Sequence, residues 1–296
     1  MRDYLRRLPK FEYLQPKTVQ EACSLLSQYK DKAKIIAGGT DLLPRLKRRE
    51  VAAEYVIGLK GILGLDYIKY SKTDGLRFGA LATLHAIETS PIIKEKFYPL
   101  FQAVYSMASP QIRSRGTVGG NLCNAAPSAD TAPALITLGA RLKLVSPRGE
   151  RTTLVEEFFT GPGETLLSED ELVVEVQVPN MPLHSGGVYL KQMIRRAMDL
   201  AIVGVAAVMT SDGGVCKDIK IVLGAVAPTP IRASKAEQVL KGKMPEDSLI
   251  EEAAKKAAGE ARPISDIRSS LEYRKAMVEV LTRKAVKQAW EKATVA

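Results

Sequence analysis

Two short stretches, each centred on a Gly-Gly pair, constrain this chain more than anything else in it. In the first, Lys34-Ile-Ile-Ala-Gly-Gly-Thr-Asp-Leu-Leu-Pro44, a β-rich apolar run stops at two glycines, then a hydroxyl and an acid follow. Glycine reaches φ > 0 and has no Cβ to hold a neighbour away. Successive N–H groups in such a turn frame a hollow of anion size. A tight turn after a strand would use the same residues. About eighty residues later, however, Thr117-Val-Gly-Gly-Asn121 repeats the pattern. Two such turns suit a long ligand with a pyrophosphate in its middle. Thr117 and Asn121 add side-chain donors, and Asp130 is placed to accept from ribose or ribityl hydroxyls. Neither stretch is G-x-x-x-x-G-K-[ST] or G-x-G-x-x-G, which excludes an NTPase phosphate loop and a Rossmann fingerprint.

Composition narrows the chemistry. With 296 residues the chain is long enough for two or three domains, and 46% hydrophobic with 26% charged residues is a globular balance. Cys23, Cys123 and Cys216 lie far apart, and His85 and His184 are the sole histidines. That leaves no self-contained cysteine- or histidine-ligated metal centre, so redox chemistry here requires an organic cofactor. The first residues lack the apolar core of a signal peptide, and no apolar run reaches the roughly eighteen residues of a membrane span. We therefore expect a cytoplasmic protein. The net charge of +10 invites a nucleic-acid reading. The basic residues are dispersed, with a local run at Arg45–Arg49, and no nucleic-acid module accompanies them. A solvated face or a docking surface for acidic partner subunits explains them better.

Along the chain, Thr18-Val-Gln-Glu21 has the form of a capping box for a helix ending near Tyr29. Strands are expected at Lys34–Ala37, Tyr55–Leu59, Tyr67–Tyr70, Leu76–Ala80, Arg141–Val145 and Glu171–Val178. A helix should start at Thr83, and Pro91 should open another that runs toward Met107. Residues 109–133 are so punctuated by Gly, Ser, Asn and Pro that no regular element is expected there. Thr153–Glu156 is expected to cap a short helix. From about residue 180, strands at Gly187–Ile194, Ala201–Thr210 and Val215–Leu223 are followed by helices at Ser234–Leu240, Pro245–Gly259 and Leu271–Trp290. The last of these carries a capping box at Ser269–Glu272. The expected organisation is a lobe at 1–56, a second at 57–179 and a separate α+β domain at 180–296.

At this point Ala37-Gly-Gly-Thr-Asp-Leu-Leu-Pro44 and Gln111-Ile-Arg-Ser-Arg-Gly-Thr-Val-Gly-Gly-Asn-Leu-Cys-Asn124 resemble the two FAD-binding signatures of molybdenum hydroxylase medium subunits. That family includes the carbon monoxide dehydrogenase, xanthine dehydrogenase and aldehyde oxidoreductase groups. The resemblance covers essentially the whole chain. It implies an α+β fold: a two-lobed FAD-binding domain of the vanillyl-alcohol oxidase/p-cresol methylhydroxylase type, then a C-terminal domain with an antiparallel sheet and helices. Carried over by position, it puts FAD against Ile36, Ala37, Gly38, Gly39, Thr40, Asp41, Leu42, Thr117, Gly119, Gly120, Asn121, Asp130, Leu172 and Lys191. The segment Lys191–Asp199 resembles the family's entry into the C-terminal domain near the flavin ring, where Arg195 or Arg196 either faces the flavin or forms a surface pair.

The resemblance also implies partners: a large molybdopterin subunit that oxidises substrate, and a small subunit with two [2Fe–2S] clusters, assembled as a dimer of heterotrimers. Electrons would pass through this FAD to NAD⁺, oxygen or a quinone, with no residue of the substrate reaction in this chain. Reductases of aromatic CoA thioesters in the family carry a cysteine-rich insertion, which is lacking here. Two other readings are a self-sufficient flavin oxidase of the same fold and a basic nucleic-acid binder. If the glycine turns cradle a pyrophosphate, Gly38→Val or Gly120→Val should abolish FAD binding and leave most of the fold intact.

Overall fold

The computed structural model describes residues 7–195 and 197–295, and several of its helices begin at a side-chain cap. In the first lobe β1 (Glu12–Leu14) leads to α1 (Val19–Tyr29), whose first turn is capped by Thr18 Oγ1 accepting from Glu21 N at 3.1 Å. The Glu21 carboxylate accepts from Lys17 N at 2.7 Å, so the box closes one residue earlier than its pattern suggests. Then follow β2 (Ala33–Ile36), α2 (Leu42–Lys47) and β3 (Tyr55–Gly58). The three strands are parallel, in the order β1-β3-β2.

The second lobe opens with the hairpin β4 (Ile68–Ser71) and β5 (Gly75–Gly79). Thr83 caps α3 (Leu84–Thr89) as expected. The single helix expected from Pro91 is two, α4 (Pro91–Lys96) and α5 (Tyr98–Tyr105), broken at Phe97 with φ −130° and ψ 47°. Pro99 explains the break, because its ring would strike the carbonyl four residues earlier in a continuous helix. The stretch 109–133 is also corrected. It holds α6 (Pro110–Arg113), α7 (Val118–Asn124) and the start of α8 (Thr131–Thr137). Its Ser, Thr and Pro residues start helices rather than break them. Ser109 and Thr117 are N-caps, and Pro110 takes the first helical position, where no N–H is needed.

The chain returns through β6 (Arg141–Ser146), β7 (Gly149–Leu154), the small hairpin β8 (Phe159–Gly161) and β9 (Glu164–Thr165), and β10 (Leu172–Val178). Thr153 lies within β7, so the short helix expected there is one 3₁₀ turn at Val155–Glu157. The five-stranded antiparallel sheet runs β4-β5-β10-β6-β7. One face carries the helices over a core that includes Phe78, Phe97, Leu100, Leu135 and Phe158. The other face, through Val145, Leu172 and Val174, packs against Ala22, Cys23, Leu26 and Ile57 of the first lobe.

The C-terminal part is a second antiparallel sheet, β11 (Ser185–Gln192), β12 (Val203–Asp212), β13 (Val215–Gly224) and β14 (Ile231–Arg232), in that order. Gly213 and Gly214, with φ of 58° and 82°, make the β12–β13 turn with the right-handed twist the strands require. Helices α9 (Ser234–Leu240), α10 (Asp247–Glu260) and α11 (Leu271–Val295) cover one face. The cap of α11 is Ser270, which accepts from Tyr273 N at 3.2 Å, not Ser269. Ser269 is already tied back to Asp266 through its N–H and its carbonyl. Helix α11 lies so close to β11 that a Cβ on Gly186 would sit 2.4 Å from Ala289 O. A small cluster of Ala103, Ala134, Tyr189 and Ala206 joins α5 and α8 to this sheet. No helix among the described residues is long and apolar enough to cross a membrane.

Candidate functional site

Between the first two lobes runs a cavity of about 580 Å³. Its walls hold every residue expected from the sequence except Lys191: Ile36–Leu42, Thr117, Gly119, Gly120, Asn121, Asp130 and Leu172. The two glycine segments, far apart in sequence, meet here. A Cβ on Gly38 would lie 2.1 Å from Arg115 O and 2.9 Å from Gly116 Cα, so only glycine lets the loops touch. Across from them, a Cβ on Gly120 would face Ala37 Cβ at 3.8 Å.

The two segments present different chemistry to the cavity. In the first, Gly39 turns the chain at φ 75° from β2 toward α2. The N–H groups of Gly38, Gly39, Thr40 and Asp41 make no hydrogen bond within the described residues. Unpaired N–H groups on a cavity wall carry a high cost if they stay dry, so a bound acceptor or water must meet them. The second segment is no turn but the start of α7, and the N–H groups of Val118–Asn121 are taken. Val118 N donates to Ala82 O at 3.1 Å, Gly119 N to Ala80 O at 3.0 Å and Asn121 N to Thr117 O at 2.9 Å. Gly120 N donates to the cap, Thr117 Oγ1, at 3.0 Å. What α7 leaves open is the Asn121 amide nitrogen, since Asn121 Oδ1 accepts from Thr131 Oγ1 at 2.5 Å. Lys34 and Arg45 add positive charge to the wall beside the first segment.

Asp130 stands at the N-terminus of α8, 5% exposed, with both oxygens engaged. Tyr189 Oη donates to Oδ1 at 2.5 Å and Lys191 Nζ to Oδ2 at 2.9 Å. Burial pushes the Asp130 carboxyl above the usual carboxylate range, and the Lys191 ammonium opposes that push. Lys191 therefore reaches the cavity through Asp130 rather than by lining it. Its ammonium also donates to Ser106 O at 3.1 Å.

Arg113, inside the second signature, does not itself line the cavity. It is buried and forms a bidentate pair with Glu88 of α3, both contacts at 2.8 Å, while Nη1 donates to Met107 O at 2.6 Å. Its work is to hold the loop whose Met107, Ala108 and Ile112 line the cavity. Those three, with Met198 and Leu200, are wall residues that sequence reasoning passed over. Nothing in their types announces a site, though the likeness of segment 191–199 to the family pointed at Met198. Arg195 forms a surface pair with Asp199 and donates to Met198 O, while Arg196 lies outside the described residues. Cys123 lines the cavity and is exposed, and the protein packed around its thiol pushes it up to about 12.

A cavity of about 580 Å³, a row of N–H groups without protein partners and a fixed acid on its wall suit a dinucleotide with a central pyrophosphate. The residues present thus fit FAD. Residues 9–181 match the family described as the FAD binding domain in molybdopterin dehydrogenase, and residues 188–289 the CO dehydrogenase flavoprotein C-terminal domain. The chain is 35% identical to the glyceraldehyde dehydrogenase medium chain of Sulfolobus acidocaldarius, over 95% of this chain and 98% of that one. It is 33% identical to the putative xanthine dehydrogenase FAD-binding subunit of Escherichia coli, over 94% and 95% of the two chains. Its structure superposes on that of carbon monoxide dehydrogenase from Hydrogenophaga pseudoflava with a TM-score of 0.93 at 36% identity, covering 97% of this chain and 99% of that one. The chain therefore belongs to the molybdenum hydroxylase family, as one of its FAD-binding medium subunits of the carbon monoxide and xanthine dehydrogenase type, and is an oxidoreductase component.

Proposed function

We propose that this subunit passes electrons from the [2Fe–2S] clusters of a small partner subunit to a terminal acceptor such as NAD⁺, oxygen or a quinone. A large molybdopterin subunit would oxidise the substrate, and the assembly would be a cytoplasmic dimer of heterotrimers. The observation that carries this reading is the cavity itself, walled by both signature segments and with the N–H groups of Gly38–Asp41 unpaired. Support for partner subunits comes from the relatives, which are named medium chains and FAD-binding subunits. FAD in this cavity supplies the redox chemistry, and the protein supplies binding and orientation.

In this reading residues 1–56 and 57–179 form the two lobes that enclose the cofactor, and 180–296 the domain behind Asp130. The N–H groups of Gly38, Gly39, Thr40 and Asp41 donate to the pyrophosphate. Asn121 donates its amide hydrogens, Asp130 accepts from a hydroxyl, and Ile36, Leu42 and Leu172 exclude water from an apolar part of the ligand. Thr117, Gly119 and Gly120 keep α7 close enough to form the facing wall.

The test is a visible spectrum of the purified protein after reconstitution with FAD. Flavin absorbance at one equivalent per chain is expected, and its absence would overturn the reading. Isolation from the native host together with molybdenum and iron–sulfur subunits supports the electron-outlet role. Oxidation of an organic substrate by this chain alone, with FAD, would instead make it a self-sufficient oxidase.

A further inference from the structure

Asp130 is held from the C-terminal sheet. Tyr189 and Lys191 stand two apart on β11, so both side chains leave the same face of the C-terminal sheet. One donates to each oxygen of Asp130. The strand carrying them is an edge strand, and its Tyr189 N–H is met by Gln102 Oε1 of α5 at 2.9 Å. Tyr189 is 3% exposed and packs with Ala103, Ala134 and Ala206 in the seam between the second lobe and the C-terminal sheet. Among the described residues the Tyr189 hydroxyl hydrogen-bonds to no other acid, and Tyr189 does not line the cavity.

We propose that Tyr189 is a positioning residue for the cofactor, which acts through Asp130 by holding that carboxylate in the orientation from which it accepts a ligand hydroxyl. A carboxylate oxygen accepts more than one hydrogen bond, so each oxygen of Asp130 keeps a lone-pair direction after its β11 donor is satisfied. The torsion that turns an aspartate carboxylate is soft and broad. With Lys191 alone the group would swing about a single contact. With donors on both oxygens it is fixed, and a ligand hydroxyl meets an acceptor that is already ordered. The lysine matches the charge and the tyrosine sets the angle. Since both come from β11, the cofactor site is completed by the C-terminal sheet, and ligand binding is linked to the seat of that sheet against α5 and α8.

This assignment rests on FAD being the ligand of the cavity. The experiment is a double-mutant cycle of Tyr189→Phe and Asp130→Asn, with FAD affinity measured by titration of the apoprotein and the fold checked by circular dichroism. Y189F keeps the ring and removes one donor to a charged acceptor, so FAD should bind about tenfold more weakly. In the D130N background Y189F should add no further loss, because the tyrosine has nothing left to orient. A purely structural role would make the two losses multiply. Unchanged affinity in Y189F, or multiplying losses, overturns the proposal. Should Y189F fail to fold, Gln102→Ala, which removes the brace on Tyr189 N from a partly exposed helix position, must show a smaller loss that also vanishes in the D130N background. Wild-type protein that takes up no FAD would instead overturn the functional reading, and this assignment with it.

Discussion

The two glycine pairs look alike in sequence and do opposite things in the structure. Gly38 and Gly39 sit in a loop on the cavity wall that leaves four consecutive N–H groups without a partner among the described residues. Gly119 and Gly120 begin a helix in which those groups are spent on Ala80, Ala82 and Thr117. The first pair is a binding surface, and the second is a packing surface that brings a helix up to it. Both need glycine, for different reasons. Gly39 needs a left-handed φ, Gly38 needs contact with Arg115, and Gly119 has Ala80 O 2.6 Å from where its Cβ would be. The lesson is that a Gly-Gly pair states close approach but not to what. Hydrogen-bond accounting has to say whether the neighbour is ligand or protein.

That comparison breaks most visibly at Arg113, on which the second segment hangs. Arg113→Ala leaves the largely buried Glu88 with only His85 beside it and Met107 O without its donor, and should cost about 3 kcal/mol of stability. Urea unfolding of the apoprotein measures it, and a loss under about 1 kcal/mol would mean that the pair is no anchor. The next largest effect is at Gly38. Against the sequence-based expectation that a Gly38 variant keeps its fold, the 2.1 Å approach to Arg115 O requires the loops to part. Gly38→Ala should lose about 1–3 kcal/mol and FAD binding together. A variant that lost FAD binding at unchanged Tm would return Gly38 to a role in ligand contact alone.

Much of this was legible beforehand because its causes are local. The alternation of Leu172–Val178 and the Thr83 cap need only neighbours in sequence, and both came out as expected within a residue. The cavity wall was legible through its glycines and its likeness to a family. What was not legible depends on partners far away in the chain. The helices within 109–133 were hidden because Ser, Thr, Pro and Gly punctuate loops and also start helices, and only the bonds from Gly119 to Ala80 and from Val118 to Ala82 distinguish the two. Lys191 could be placed near the cofactor, but that it acts through Asp130 depends on β11 docking against α8. Tyr189 and Arg113 carry no local signal at all. Their roles exist only once residues 59 and 25 positions away are brought to them.

Two smaller substitutions sharpen the contrast. Thr117→Ala removes the cap that takes Gly120 N and should cost about 1 kcal/mol of stability, read as a lower thermal midpoint of the apoprotein, with FAD affinity following only as far as α7 frays. The last and smallest effect on stability is expected at Gly120. A Cβ there meets Thr117 Oγ1 at 2.9 Å and Ala37 Cβ at 3.8 Å, and otherwise opens toward the cavity. The tight approach to the hydroxyl opposes the gain of up to about 1 kcal/mol that alanine has over glycine inside a helix, so Gly120→Ala should leave stability within about 0.5 kcal/mol of the parent. Its methyl group would nevertheless narrow the gap between α7 and the Gly38–Thr40 loop, where a pyrophosphate would lie. FAD affinity should therefore fall at least about tenfold by titration, a difference of about 1.4 kcal/mol, in a protein whose unfolding curve is unchanged. Of the four glycines, Gly120 is the one where binding and folding separate. If Gly120→Ala bound FAD like the parent, the facing wall of the cavity would stand farther from the ligand than the two-segment cradle requires, and the first glycine segment would carry the pyrophosphate alone.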